Sequence, residues 1–182
     1  MTTRPSCVLI GIFAISCIAS SDPAEEPVDD PAVELAALPS VSPIVGVTAS
    51  GAETGNGPAN AIDGSLATRW SNNGVGSWIQ ADLGSGLSVS SVSIAWYVGN
   101  QRTSRFTVST SQDGSLFRQV HAGSSSGTTA SLERYAFAVT SARYVRVTVN
   151  GNSQSSWASI TELRVEAAAA EVPPTPTPST QD

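Results

Sequence analysis

Between Asn60 and Trp70 the chain reads NAIDGSLATRW, which sets an Asp-Gly turn, two hydroxyls and an Arg-Trp pair within one short stretch. An Asp-Gly pair alone is enough to turn a chain. Asp63, Ser65 and Thr68 add hard oxygen donors, the type that Ca²⁺ collects in sets of six to eight. Spacing alone leaves two readings open, a plain turn or part of a cation site, because D-G-S lacks the donor density of an EF-hand loop. Catalytic chemistry finds less support. Hydrolysis or lysis needs paired carboxylates, or a nucleophile with an oriented base. Residues 43–167 hold one histidine, His121, and the acids Glu53, Asp63, Asp82, Asp113, Glu133, Glu162 and Glu166, with no such constellation among them. The sequence therefore predicts a protein that is not an enzyme.

The elements that must position these residues are unevenly spread. Residues 1–20, MTTRPSCVLIGIFAISCIAS, carry Arg4 as their only charge and an apolar run from Cys7 to Ala19. That run falls short of the roughly 20 apolar residues of a membrane span and suits an export signal. Ala14-Ile15-Ser16-Cys17 resembles a bacterial lipobox, with Ala14 where Leu, Val or Ile is usual, which makes Cys17 the candidate lipidation site. Cleavage near Ala19 or Ser20 is the alternative. The expected location is the bacterial outer surface or the periplasmic face as a lipoprotein, or otherwise secretion.

Cys7 and Cys17 are the only cysteines, so the mature chain has no internal disulfide and must be held by its core, a metal, or both. Residues 21–42 contain Asp22, Glu25, Glu26, Asp29, Asp30 and Glu34 with no basic residue, and read as an acidic, Pro-rich spacer. Residues 168–182 form a Pro/Thr-rich tail. Between them the seven acids named above face the arginines at 69, 102, 105, 118, 134, 143, 146 and 164, a near balance that gives no basic patch for nucleic acid.

The segment 43–167 reads as β throughout. Val92, Ile94 and Trp96 alternate with Ser91, Ser93 and Ala95; Phe106 and Val108 alternate with Thr107 and Ser109; Val145, Val147 and Val149 alternate with Tyr144, Arg146 and Thr148. Period two with β-branched and aromatic residues on one face is the half-buried strand pattern. The breaks GSGLS, GNQRTS, QDGS, AGSSSGTTAS and NGNSQSS separate these runs, and many short strands between turns point to a sandwich or jelly roll. Trp70, Trp78, Trp96, Tyr135, Phe137 and Tyr144 are the expected bulk of its core.

NAIDGSLATRW, WIQADLG (78–84), VSSVSIAWY (89–97), STSQDG (109–114), ARYVRV (142–147) and SITELRV (159–165) follow one another in the order seen in discoidin, or F5/8 type C, domains. The segment resembles their bacterial relatives, the family 32 carbohydrate-binding modules. The resemblance implies an all-β, eight-stranded antiparallel jelly-roll sandwich of the galactose-binding-domain-like kind. It also implies a structural Ca²⁺ where the first long loop meets the last strand, held by the main-chain oxygen of Asn60, Asp63, Ser65, Thr68, the main-chain oxygen of Thr161, and Glu162.

In carbohydrate-binding members a ring stacks on the sugar while Arg and Asn side chains hydrogen-bond its hydroxyls. The matching loops are SNNGVG (71–76), YVGNQR (97–102) and GNSQSSW (151–157), with Asn73, Asn100, Arg102, Asn152 and Trp157 as the implied ligand contacts. Galactose-binding members often place a His there, whereas His121 lies in FRQVHAG at an expected strand end. Arg102 with Arg105 leaves room for an acidic sugar such as a uronate.

The function implied is a non-catalytic, exported module whose partner is a glycan or polysaccharide. The alternative is a cell-surface protein-adhesion domain with a surface protein as partner. The loops are Asn-, Gly- and Ser-rich and Lys is absent, so membrane contact is expected only through a lipid anchor.

Overall fold

The computed structural model of the protein describes residues 40–168. The expected signal segment with Cys17, the expected spacer up to residue 39 and the Pro/Thr-rich stretch beyond 168 lie outside the described residues. The strands are β1 (Ser40–Ser42), β2 (Gly46–Ala49), β3 (Trp70–Asn73), β4 (Ser77–Trp96), β5 (Ser104–Ser111), β6 (Arg118–Ser124), β7 (Glu133–Asn152) and β8 (Trp157–Ala167). A single turn of 3₁₀-helix, Pro58–Ala61, interrupts the long connection between β2 and β3, with Pro58 setting its first φ. Every pairing among the described residues is antiparallel.

Two strands of unusual length, β4 and β7, make this a sandwich. The first half of β4 pairs with β2 and with the second half of β7, which in turn pairs with β5, and β5 with β6. The second half of β4 pairs with β8 and with the first half of β7, while β8 carries β1 at one end and β3 at the other. Each long strand thus contributes to both layers and turns a corner between them. In β4 the corner falls at the register shift between Asp82 and Leu87, where Gly84 takes a φ of 78°. That left-handed value suits glycine. The GSGLS segment, expected as a break between strands, is therefore a corner within one.

Alternation decides what enters the core. Ile79, Ala81 and Leu83 point inward from β4, as do Phe106 and Val108 from β5 and Val145, Val147 and Val149 from β7, and Trp70 and Trp96 are fully buried with them. Each fully buried Val or Ile contributes about 1.5–3 kcal/mol. The same alternation removes Trp78 and Tyr144 from the expected core. They stand on the outer face with partial exposure, where the Arg146 guanidinium lies 4.3 Å from the Trp78 ring and that of Arg143 4.9 Å from the Tyr144 ring.

Three further positions depart from the sequence reading. Ser40–Ser42 is not spacer but a strand paired with Val165–Ala167, so the folded domain starts before residue 43. Three residues are too few to show a period. Ser91, Ser93 and Ala95 are buried instead of facing solvent. Glu166 reaches over the two serines, accepting their hydroxyls at 2.6 and 2.5 Å, and pairs with Arg134 at 2.6 Å. Burial works to raise the pKa of Glu166, but these hydrogen bonds and the charge of Arg134 outweigh it and hold the carboxyl below its ordinary value. His121 sits within β6, not at its end. Its ring is stacked on Phe106 at 5.6 Å and lies 5.7 Å from that of Tyr135.

Candidate functional site

Asp63 braces the loop that leads into β3 from within, and Glu162 ties that loop to the last strand. Asp63 accepts the Thr68 hydroxyl at 2.7 Å and the Ser65 N–H at 2.8 Å. These bonds, that of Thr68 foremost, hold its carboxyl below the usual range. Glu162 is buried, and its Oε2 accepts the Gly64 N–H at 3.1 Å while Arg164 donates to its Oε1 at 3.4 Å. The Gly64 bond ties the residue after Asp63 to the other acid of the expected metal set, 98 residues along the chain.

The donor chemistry fits a hard cation. The Thr68 hydroxyl lies 2.7 Å from the Asp63 carboxylate and 3.4 Å from the Ser65 carbonyl oxygen. Among the described residues no group of three or more His, Cys, Asp or Glu side chains gathers at one point. A site here would thus depend on hydroxyl and main-chain oxygens, which Ca²⁺ accepts. Asn60 turns its side-chain NH₂ to the carbonyls of Gly55 and Arg69, both at 3.1 Å, and Thr161 its hydroxyl to that of Ala95 at 3.0 Å. Both side chains brace the loop and strand that carry the main-chain oxygens of the expected set.

Trp70 fixes the far end of this loop. It is fully buried, pairs with Ile160 of β8, and donates its indole N–H to the Gly51 carbonyl at 2.9 Å. Consecutive residues of a strand point to opposite sides, so burying Trp70 turns Ser71 away from the core, where it is covered in its turn, while Arg69 flanks it just before the strand. On β8 the same rule turns Trp157 and Ser159 outward, with Ser71 directly opposite Ser159. Tyr97 follows the end of β4 and donates its backbone N–H to the Ser159 carbonyl at 3.2 Å.

These outward side chains and Arg102 line an open cleft of about 190 Å³. Pockets for drug-sized ligands begin at roughly 300 Å³, so this one is small. Its defining feature is a pair of cations on one ring. The Arg69 guanidinium carbon lies 4.2 Å from the centroid of Tyr97, and that of Arg102 lies 5.5 Å from it. Both distances are within reach of the ring quadrupole. Arg69 Nε and Arg102 Nε are both buried with no hydrogen-bond acceptor among the described residues. Burial, and then the neighbouring charge of Arg69, press the Arg102 pKa below its ordinary value while Tyr97 opposes them; the group stays charged at neutral pH. Two cations on one face, Arg102 partly desolvated and Arg69 partly exposed, can receive an anion, and guanidinium matches the planar fork of a carboxylate.

The loop carrying Tyr97 and Arg102 is held in a strained, tightly packed form. Val98 adopts a φ of 54°. For a β-branched residue this is an uncommon conformation that costs about 1–3 kcal/mol. A Cβ on Gly99 would come within 2.5 Å of the Thr129 carbonyl oxygen, so the loop seats directly on the connection that follows β6.

Of the five expected ligand contacts, the cleft gathers Arg102 and Trp157. Asn152 is buried, and its amide is used within its own loop: Nδ2 donates to Ser155 Oγ and the Trp157 carbonyl, and Oδ1 accepts the N–H groups of Gln154 and Ser155. It shapes the Trp157 loop and does not line the cleft. Asn73 lies opposite Trp157 at the end of β3 and accepts the Ser156 hydroxyl at 2.9 Å. Asn100 is exposed on the Tyr97–Arg102 loop, outside the cleft lining. Arg105 points to solvent from β5, and the second cation is Arg69 instead. Sequence reasoning also misses Tyr97 and Glu53; for Arg69 the available signal is the Arg-Trp pair, whose Trp alone has an evident structural task.

The F5/8 type C domain model matches residues 46–163. The chain belongs to the F5/8 type C family. Among solved structures it is similar to the family 32 module of AlyQ in complex with 4,5-unsaturated mannuronic acid, with 49% identity, coverage of 69% of this chain and 97% of that one, and a TM-score of 0.68. It is similar also to a pectin-binding carbohydrate-binding module, with 30% identity, coverage of 71% and 94%, and a TM-score of 0.66. The family 32 module of NanJ from C. perfringens, in complex with galactose, shares the fold at 20% identity, 66% and 92% coverage and a TM-score of 0.58. No match was found among curated proteins. The F5/8 type C domain of this chain therefore has the fold of the family 32 modules, and its neighbours are carbohydrate-binding.

Proposed function

We propose that the protein is a non-catalytic carbohydrate-binding module that takes a uronate-containing glycan in the Arg69–Tyr97–Arg102–Trp157 cleft. The observation that carries this reading is the pair of guanidinium groups over one tyrosine ring, each with a buried Nε–H that no acceptor meets among the described residues. A sugar carboxylate supplies a counter-charge to Arg102, which has no acidic partner among the described residues, while Trp157 offers an apolar face for a pyranose ring. The size of the cleft suits about one sugar residue, and affinity for a single site is about millimolar, or roughly −4 kcal/mol. Many copies on one polymer raise the avidity. The similarity to modules whose names carry mannuronic acid and pectin supports an acidic ligand.

Calorimetric titration of the full chain with a mannuronate oligosaccharide and with a neutral oligosaccharide of equal length tests the reading. Saturable binding of the acidic ligand alone is expected; preference for the neutral one contradicts it.

In the same reading Ca²⁺ joins Asp63, Ser65, Thr68 and the main-chain oxygen of Asn60 to Thr161 and Glu162, closing a long loop without a disulfide. Chelator is expected to lower the melting midpoint of purified protein by several degrees, with recovery on adding Ca²⁺ and not Mg²⁺. An unchanged midpoint removes the metal from the account. Export, with lipid on Cys17 holding the module at the cell surface, completes the proposal.

A further inference from the structure

Among the described residues Glu53 is the one acid lining the cleft. Its Oε2 stands 3.8 Å from Arg69 Nη2, although both side chains are partly exposed. That separation is beyond hydrogen-bond length. Asn56 holds the carboxylate there. The Asn56 NH₂ donates to the same Oε2 at 2.6 Å, and the backbone of this turn is docked on β3 by bonds from Glu53 N to the Ser71 carbonyl (2.7 Å) and from Ser71 N to the Asn56 carbonyl (3.1 Å). Glu53 is therefore near enough to offset part of the charge of Arg69, yet is kept from closing on it.

We infer that Glu53 is a built-in rival of the glycan carboxylate, a specificity-determining residue that lowers the affinity of the cleft for acidic sugars and leaves neutral ones unaffected. The inference rests on the uronate reading of the cleft. With Glu53 ionised, the two guanidinium groups and one carboxylate leave a single net positive charge. An incoming carboxylate meets Arg102, which has no acidic partner among the described residues, and shares Arg69 with Glu53. Removing the rival's charge leaves both cations to the ligand. Removing the Asn56 side chain frees Glu53 to move onto Arg69, which strengthens the rival.

The two substitutions thus shift affinity in opposite directions, which a general loss of structure cannot imitate. Titration of mannuronate oligosaccharide into the full chain at low salt is expected to show binding about three- to tenfold tighter in Glu53→Gln, which keeps an oxygen for Asn56, and two- to threefold weaker in Asn56→Ala. The gain in Glu53→Gln is expected to shrink as salt rises. Unchanged or weaker binding in Glu53→Gln, with wild type still binding the acidic ligand, overturns the role of Glu53 and leaves the cleft assignment standing. Failure of the wild type to bind it overturns both.

Discussion

Replacing Arg102 by Ala is expected to weaken binding of a mannuronate oligosaccharide about 30-fold, equivalent to about 2 kcal/mol. The size follows from what the guanidinium contributes: two parallel charge-assisted hydrogen bonds to a carboxylate from a site already partly stripped of water. From a millimolar starting point this puts binding beyond ordinary titration, so the comparison is best made by depletion on an immobilised acidic polymer. Arg102→Lys separates charge from geometry. It restores a cation but not the planar fork, and recovery of only a small part of the loss is expected. Full recovery by Lys would mean that the cleft acts as a diffuse positive field. An Arg102→Ala protein that binds as well as wild type would mean that the ligand docks elsewhere.

Trp70→Ala carries the largest expected effect on stability, a loss of about 3–5 kcal/mol in denaturant unfolding. The residue is fully buried, pairs with Ile160 across β3 and β8, and uses its indole N–H on the Gly51 carbonyl. Domains of this size have about 5–15 kcal/mol in total, so the variant loses a large share of its margin. Trp70→Phe keeps most of the bulk and gives up the bond to Gly51, and is expected to cost about 1 kcal/mol beyond the lost ring area. Because the buried Trp70 fixes the backbone between Arg69 and Ser71, which both line the cleft, Trp70→Ala should also weaken glycan binding under conditions where it remains folded. A variant as stable as wild type would show that β3 is held by the loop beneath it and not by this side chain.

The fold is legible in the sequence because period two is a strong signal wherever one face is dry. Val145, Val147 and Val149, or Phe106 and Val108, announce their strands and their inward direction without help. The signal fails where a residue's outward face is itself covered. Ser91, Ser93 and Ala95 read as solvent-facing, and only the arrival of Glu166 and Arg134 from other strands buries the two serines. It fails again at β1, whose three residues exist as a strand only because β8 pairs with them.

The site is legible in part, for a related reason. Arg102 and Trp157 stand out as a charge and a ring in polar loops. Asn152 has the same local appearance, but its amide is consumed by Gln154, Ser155 and Trp157, which a composition-level reading cannot reveal. Arg69 is masked by the tryptophan beside it. The stretch NAIDGSLATRW reads as a brace, yet the residue just before the buried Trp70 is left on the other side, and there it is a wall of the cleft. Glu53 has no sequence signal, since its role depends on a distance to Arg69 set by Asn56.

Two tryptophans of different standing allow the location of binding to be read directly. Trp157 lines the cleft, whereas Trp78 lies on the outer face of the opposite layer against Arg146. In a nitrogen–proton correlation spectrum of the labelled full chain, titration with mannuronate oligosaccharide is expected to shift the indole N–H of Trp157 and the Nε–H of Arg69 and Arg102 along one saturating curve, with Trp78 unmoved. Shifts at Trp78 with Trp157, Arg69 and Arg102 stationary would place the glycan on the sheet face and contradict the cleft as its site.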